Sequence, residues 1–309
     1  MVGLAELRPE ELAPEDVRAL PYVDLIAILR ETNRCLGGHR TIREAARMLG
    51  YDERTRVLEV GCSTGYTTLE LVKITRSRVH GIDVNPNVVA EAERRRRLLP
   101  REFAERVSFA VGDAMQIDAP DSSFDSVVCG GANSFIRDAK RALAEYHRVL
   151  RPFGTVSITN LYYREPPPDE LRRRLEHVLG FDVGVATLRD WLDLFVTDGW
   201  QVYELQTFPI TRRADWVVEA YADSLVSQEH LSALPEPVRA AVRERWVEAC
   251  NTFNDNQDYL AYMFLILRRR EPGEVDQPEL FLDPGTWDPY FERDFVPDIS
   301  AAMRDAAST

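Results

Sequence analysis

Between Arg56 and Leu161 five short apolar runs alternate with helical stretches, and that alternation restricts the fold more than any other feature of the chain. The runs are RVLEV (56–60), RVHGIDV (78–84), VSFAVGD (107–113), FDSVVCG (124–130) and GTVSITNL (154–161). Between them lie TTLELVKIT, NVVAEAERRRRLL and DAKRALAEYHRVL, which read as helices. Strands separated by helices pair in parallel through crossover connections. Right-handed crossovers place helices on both faces of the sheet. The expected class is therefore α/β, built on a mostly parallel sheet.

Helical patterns flank this core. Residues 10–50 carry ELAPEDVRAL and YVDLIAILRETNR, and then Gly37 and Gly38 break the chain. Thr41, with Glu44 three residues on, has the pattern of a capping box for TIREAARML. Residues 1–50 are read as an N-terminal helical cap and 51–270 as the main domain. Further on, PPPDELRRRLEHVLG and TLRDWLDLFVTDGW read as helices, WQVYELQTF as a strand, and YLAYMFLILRRR (259–270) as the last strand. The helical stretch 214–253 between those two strands is longer than most connections. It can cover a site or build a homodimer interface, and the pattern leaves both open. The tail, 271–309, is acidic and rich in Pro and Asp, yet it keeps Phe281, Trp287, Tyr290, Phe291 and Phe295. A strap packed on the body and a loose segment both remain open.

A net charge of −13 argues against a surface made for a polyanion, so no nucleic-acid partner is expected. Ten acidic residues against two basic ones from Glu271 onward account for most of that charge. The arginine runs at 94–97, 172–174 and 268–270 read as solvated helix or strand edges. No apolar run approaches the roughly 18 to 20 residues that span a bilayer, and MVGLAELRPEELAPEDVR has no apolar signal core. A cytoplasmic protein without a membrane partner is expected. Cys35, Cys62, Cys129 and Cys250 form no CxxC pair and no cluster with histidine, so reduced thiols and no metal are expected.

The sharpest local signal is VLEVGCSTGYTTLEL (57–71). An apolar strand ends at Val60, the chain turns through Gly61 to Gly65, and a helix begins. Glycines let the backbone turn tightly and approach a ligand, and free amides at the helix start can bind a carboxylate. A dinucleotide site would have glycine where Ser63 stands, and a phosphate-binding P-loop would carry a lysine; both are absent. Asp83 lies 18 residues after Gly65 at a strand end, where a carboxylate can accept from both ribose hydroxyls. Asp113 ends the third strand, where it can accept from an adenine amino group. The fourth strand runs into small residues and an amide, and an LRPFG turn precedes the fifth.

This series resembles the class I S-adenosylmethionine-dependent methyltransferases over roughly residues 55–161. LRPFG is similar to the LRPGG-type turn of members related to ubiquinone-biosynthesis and arsenite methyltransferases, with Phe153 at the usual first glycine. The resemblance implies a Rossmann-like seven-stranded sheet with an antiparallel last strand, and S-adenosylmethionine as cofactor. It implies that Glu59, Gly61, Cys62, Ser63, Thr64 and Gly65 hold the methionine part, Asp83 the ribose, and Asp113 with Ala114 the adenine. Val84, Met115, Cys129 and Gly130 complete that cofactor set.

Ligands of open α/β sheets bind outside the carboxyl ends of the strands. A small-molecule acceptor is therefore expected near Cys129–Phe135 and Asn160–Tyr163, under the N-terminal cap. Candidate catalytic residues are Asn133, Tyr162 and His39; candidate acceptor-binding residues are Tyr22, Asn33, Arg34, Ser134 and Tyr163. His80 and His147 read as bystanders. The fourth strand ends in GGAN, without the D/N-P-P-Y pattern of amide- and adenine-N-methylating relatives. It also lacks the acidic ligands of catechol-type enzymes, so no magnesium is expected. The resemblance implies methyl transfer to O, N or C of a metabolite, by analogy in specialised biosynthesis. A cofactor-binding enzyme with other chemistry, and a non-catalytic partner protein, stand as alternatives.

Overall fold

A computed structural model describes residues 11–274 apart from 183 and 198, so the expectations for the tail past residue 274 lie outside the described residues. In chain order the elements are α1 (Pro14–Ala19), α2 (Tyr22–Leu29), α3 (His39–Met48), β1 (Arg56–Val60), α4 (Tyr66–Thr75), β2 (Arg78–Asp83) and α5 (Pro86–Arg96). Then come α6 (Arg101–Ala104), β3 (Val107–Val111), β4 (Phe124–Gly130), α7 (Ala139–Val149), β5 (Leu150–Tyr163), α8 (Asp169–Leu179) and α9 (Leu188–Phe195). β6 (Trp200–Pro209), α10 (Asp215–Val226), α11 (Glu236–Asn256) and β7 (Leu260–Arg269) follow.

The strands make one seven-stranded sheet in the order β3-β2-β1-β4-β5-β7-β6. β3 through β5 are parallel neighbours, and β7 runs antiparallel to both β5 and β6. The expected α/β fold is thus found, with seven strands and an antiparallel last one. β1 and β4 sit at its centre, and Val57, Leu58, Val127 and Cys129 are wholly buried, which is why these strands read as apolar runs. One face packs against α7 and α9 through Tyr146, Phe195 and Leu192. The other packs against α3 and α4 through Ile42, Leu69 and Val72.

Two local expectations are corrected. α3 begins at His39 behind Gly38, not behind Thr41. Gly38 adopts φ 53, ψ −133, a conformation essentially closed to side-chain-bearing residues, and so starts the helix earlier. The Thr41 hydroxyl instead donates to the Leu36 carbonyl at 2.8 Å, and Glu44 pairs with Arg47. LRPFG is not a turn ahead of the fifth strand but the bulged beginning of β5, its register shifting between Phe124 and Ser126 of β4. Phe153 takes φ 62 there, at a cost of about 1–2 kcal/mol, with its ring exposed and the Arg268 guanidinium 5.4 Å away.

The N-terminal cap and the helical insertion share one core, although they lie at opposite ends of the described chain. Val17 of α1 and Leu25 and Leu29 of α2 pack with Ala222 of α10 and with Ala241, Val242 and Trp246 of α11. This helical layer rests on the carboxyl edge of the sheet at two places. Thr64, after β1, donates its hydroxyl to the Glu31 carbonyl at 2.8 Å and the Thr32 carbonyl at 3.2 Å. Buried Asp24 of α2 accepts from Asn85 Nδ2 at 2.8 Å and Asn87 Nδ2 at 2.9 Å, at the start of α5. Replacing it (Asp24→Ala) removes the acceptor of two buried amides. The expected cost is about 2–3 kcal/mol, read as a lower urea midpoint at unchanged m-value. Among the described residues, no helix is long and apolar enough to cross a membrane.

Candidate active site

The turn after β1 is shaped by positions where only glycine fits. Gly61 takes φ 71, and a Cβ there would stand 2.2 Å from Ala132 Cβ. Gly65 takes φ 85, and a Cβ there would stand 2.7 Å from the Phe109 ring. The turn is tied to the end of β2: Asp83 Oδ2 accepts from the Ser63 amide at 2.9 Å and Oδ1 from the Asn85 amide at 3.0 Å. Each oxygen keeps capacity for a further bond, since a carboxylate offers about four lone-pair sites. Burial pushes the Asp83 carboxyl up, and the amide donors oppose that shift. Beside it Val84, just past β2, and Val111, the register partner of Asp83 at the end of β3, are 60% and 57% exposed. Asp113 is exposed and accepts from the Met115 amide at 2.8 Å, closing a turn in which Ala114 is buried.

Glu59 points from β1 to the start of α4, where Oε2 accepts from the Thr68 amide at 2.8 Å and from its hydroxyl. The residue is 2% exposed. Burial pushes its carboxyl up from 4.5 to about 7, against the opposing bonds from Thr68 and Thr67. The folded chain thus holds this proton more tightly than the unfolded chain does. The stabilisation is complete below 4.5 and is lost as pH rises to about 7. That amounts to ~3 kcal/mol at about 1.4 kcal/mol per pH unit. Over this window the urea midpoint of the ligand-free wild type should fall relative to that of Glu59→Gln.

At the end of β4 the Cys129 thiol is buried and pushed up to about 11. Asn133 follows in a short 3-10 turn, Ala132–Phe135. Its Oδ1 accepts from the Tyr146 hydroxyl at 3.2 Å, while its buried Nδ2 has no partner among the described residues. Ser134 donates to Asn160 Oδ1 at 3.4 Å, joining the ends of β4 and β5. Tyr163 is buried, and its hydroxyl accepts from Asn256 Nδ2 at 3.1 Å. Tyr162 is half-buried against the α7 and α9 core, and burial pushes its phenol up.

The cap candidates separate. Asn33 reaches the glycine turn, donating from Nδ2 to Ser63 Oγ at 2.9 Å. Tyr22 stacks on Trp246 within the helical layer, ring centroids 6.0 Å apart. His39 is exposed, with Nδ1 3.4 Å from the Glu70 carboxylate and its ring against Tyr66, the first residue of α4. Arg34 is exposed, its guanidinium 5.4 Å from the centroid of the same Tyr66 ring. Sequence reasoning missed Asp24, Glu31 and Tyr146, whose roles come from tertiary contacts. It also missed Asn85, although Asn-Pro at a helix start is a readable cap: Asn85 Oδ1 accepts from the Asn87 amide at 2.8 Å. Among the described residues no group of three His, Cys, Asp or Glu side chains can hold a metal.

Residues 58–158 match the family described as a methyltransferase domain. That segment is similar to the class I S-adenosylmethionine-dependent methyltransferases. It runs from β1 into β5 and contains the glycine turn, Asp83, Asp113 and Asn133. The sterol 24-C-methyltransferase erg6 of Aspergillus fumigatus is 31% identical over 163 residues, covering 51% of the chain and 42% of that protein. The chain thus spans less than half the length of that relative. Among solved structures, MccD protein superposes with a TM-score of 0.65 at 22% identity, covering 77% of this chain and 100% of that one. The [4+2]-cyclase SpnF gives 0.62 at 21% identity, covering 86% and 98%. At those identities the likeness is one of fold.

Proposed function

We propose that the chain binds S-adenosylmethionine across the carboxyl ends of β1, β2 and β3. It transfers the methyl group to a small-molecule acceptor at the ends of β4 and β5. The observation that carries this reading is the pairing of a glycine turn, closed to any Cβ at Gly61, with the Asp83 carboxylate through the Ser63 amide. That pairing presents backbone and a carboxylate side by side, as an amino acid joined to a nucleoside requires. In this reading Gly61 to Gly65 and Glu59 hold the methionine part, and Asp83 accepts from the ribose hydroxyls. Val84 and Val111 offer exposed apolar contact to the adenine ring beside Asp113 and Ala114.

When bound, S-adenosylmethionine supplies an electrophilic methyl group. The described residues at the acceptor end contribute little basicity near neutral pH: the Cys129 thiol and the Tyr162 phenol are both pushed up by burial. The acceptor's nucleophile is therefore used as it arrives, as with a free amine or an electron-rich carbon. What the chain supplies is alignment and exclusion of water, worth roughly 7–11 kcal/mol when geometry is right. Asn133 Nδ2, buried without a partner among the described residues, is a donor available to acceptor or cofactor. Residues 51–270 form the catalytic domain in this account, with the cap and the 214–253 insertion as its lid, and specialised metabolism is its setting.

The test is to incubate the full chain with S-adenosylmethionine carrying a labelled methyl group and with pools of small amines, phenols and alkenes. Label on an acceptor, matched by S-adenosylhomocysteine, supports methyl transfer. Tight cofactor binding with the label unmoved across all pools favours the non-methylating alternative instead.

A further inference from the structure

The lid holds a charge that the methyl-transfer account leaves unused. Glu31, in the strap between α2 and α3, is 8% exposed. Its carboxylate accepts from the Tyr221 hydroxyl at 2.7 Å, from the Thr32 hydroxyl at 3.4 Å and from the Asn33 amide. Among the described residues it has no cationic partner within 4.0 Å. Arg30 and Arg95, the basic groups of this region, pair with the Glu91 carboxylate at 3.7 and 2.8 Å, and Arg95 Nη2 also donates to the Glu31 main-chain carbonyl at 3.0 Å. A buried carboxylate without a counter-charge is costly, and such groups are found paired.

Aromatic rings from three helices gather at the same place. Tyr22 of α2 stacks on Trp246 of α11 and meets Phe253 edge-on at 4.9 Å. Tyr221 of α10 lies against Trp246 with centroids 6.2 Å apart. The Glu31 charge contributes, after burial, to the upward shift of both the Tyr22 and Tyr221 phenols, so all three groups face one another. Tyr22 is half-buried and Tyr221 is 43% exposed, which leaves the cluster open to solvent on one side. The buried Trp246 Nε1 has no hydrogen-bond partner among the described residues. This cluster sits directly on the glycine turn, because Thr64 donates to the Glu31 carbonyl and Asn33 to Ser63.

A carboxylate beside a cluster of aromatic rings is suited to recognition of an organic cation. We propose that Glu31, with Tyr22, Tyr221 and Trp246, binds a small organic cation, an ammonium or sulfonium group, between the lid and the cofactor turn. The proposal rests on the methyltransferase reading and deepens it. Two sources carry this chemistry. One is an amine acceptor that enters under the lid, and the other is the positive sulfur of the cofactor itself.

The experiment compares wild type, Glu31→Gln and Tyr221→Leu by calorimetry, with folding checked by circular dichroism. S-adenosylhomocysteine, whose sulfur is neutral, is titrated first and establishes the cofactor reading independently. S-adenosylmethionine and, on the S-adenosylhomocysteine-loaded protein, tetramethylammonium and trimethylamine follow. Loss of about tenfold or more in affinity for the amine probes, with cofactor affinities kept, supports an amine acceptor site. An equal loss confined to S-adenosylmethionine supports recognition of the sulfonium. If both substitutions leave every affinity unchanged while S-adenosylhomocysteine still binds, the cation site is overturned and the cofactor reading survives. Should Glu31→Gln fail to fold, Tyr221→Leu carries the same comparison, because it removes a ring and a donor at the exposed side of the cluster.

Discussion

Asp83→Ala should abolish the rise in melting temperature that S-adenosylhomocysteine gives the wild type. At a ligand concentration near 100 times Kd the wild-type stabilisation is about 2.7 kcal/mol. Two charge-assisted hydrogen bonds to ribose hydroxyls are worth roughly 1.5–3 kcal/mol each. Their loss lowers affinity by a factor on the order of 10² to 10⁴, enough to remove the shift at that concentration. The substitution also strips the acceptor from the Ser63 and Asn85 amides, which loosens the turn. Asp83→Asn separates the two effects: it keeps one acceptor oxygen and the side-chain shape while removing the charge. The expected order of affinity is wild type, then Asn, then Ala. An Ala variant that retains the wild-type shift would remove Asp83 from the cofactor site.

Gly61→Ala is the second large effect. The new Cβ would stand 2.2 Å from Ala132 Cβ, on a backbone at φ 71. Neither partner is the end of a flexible chain, so the turn after β1 or the one after β4 must move. We expect a loss of at least ~3 kcal/mol in stability, as for other overpacked or strained positions, together with loss of cofactor binding. Gly50→Ala is the matched control, since Gly50 also has positive φ, 61, but nothing within 4 Å of an added Cβ. It should cost about 1 kcal/mol and leave binding intact. Urea denaturation and calorimetry on the pair check both halves. Equal costs at the two positions would show that the contact with Ala132 is not what requires glycine.

These two residues lie in the part of the chain most legible from its residues. Central parallel strands must be apolar on both faces, and the turn between β1 and α4 must be glycine-rich, so both leave local marks that one stretch of sequence contains. The errors came where a local mark had two readings. Thr41 with Glu44 has the spacing of a capping box, but the backbone freedom of Gly38 starts the helix three residues earlier. LRPFG has the composition of a turn, yet Leu150 pairs with Phe124 of β4 and the next four residues form a bulge at the start of β5. For the candidate catalytic residues His39, Asn133 and Tyr162, no local pattern shows which groups each one meets. In space His39 meets Glu70 and Tyr66 on α4.

What local patterns could not reveal is the joint helical layer. Leu25 and Leu29 give α2 an apolar face, but nothing in that face names Ala241 or Trp246 as its partners. The same holds for Asp24 and Glu31, which read as ordinary solvated charges until the fold buries them. Glu59 could be suspected from its place at the strand end. Its elevated carboxyl follows only from complete burial beneath α4.

Titration of S-adenosylmethionine into the purified full chain, followed by calorimetry, tests the central claim most directly. The account predicts one site per chain with affinity in the micromolar range, lost in Asp83→Ala. A folded chain that takes up no S-adenosylmethionine and no S-adenosylhomocysteine would contradict it.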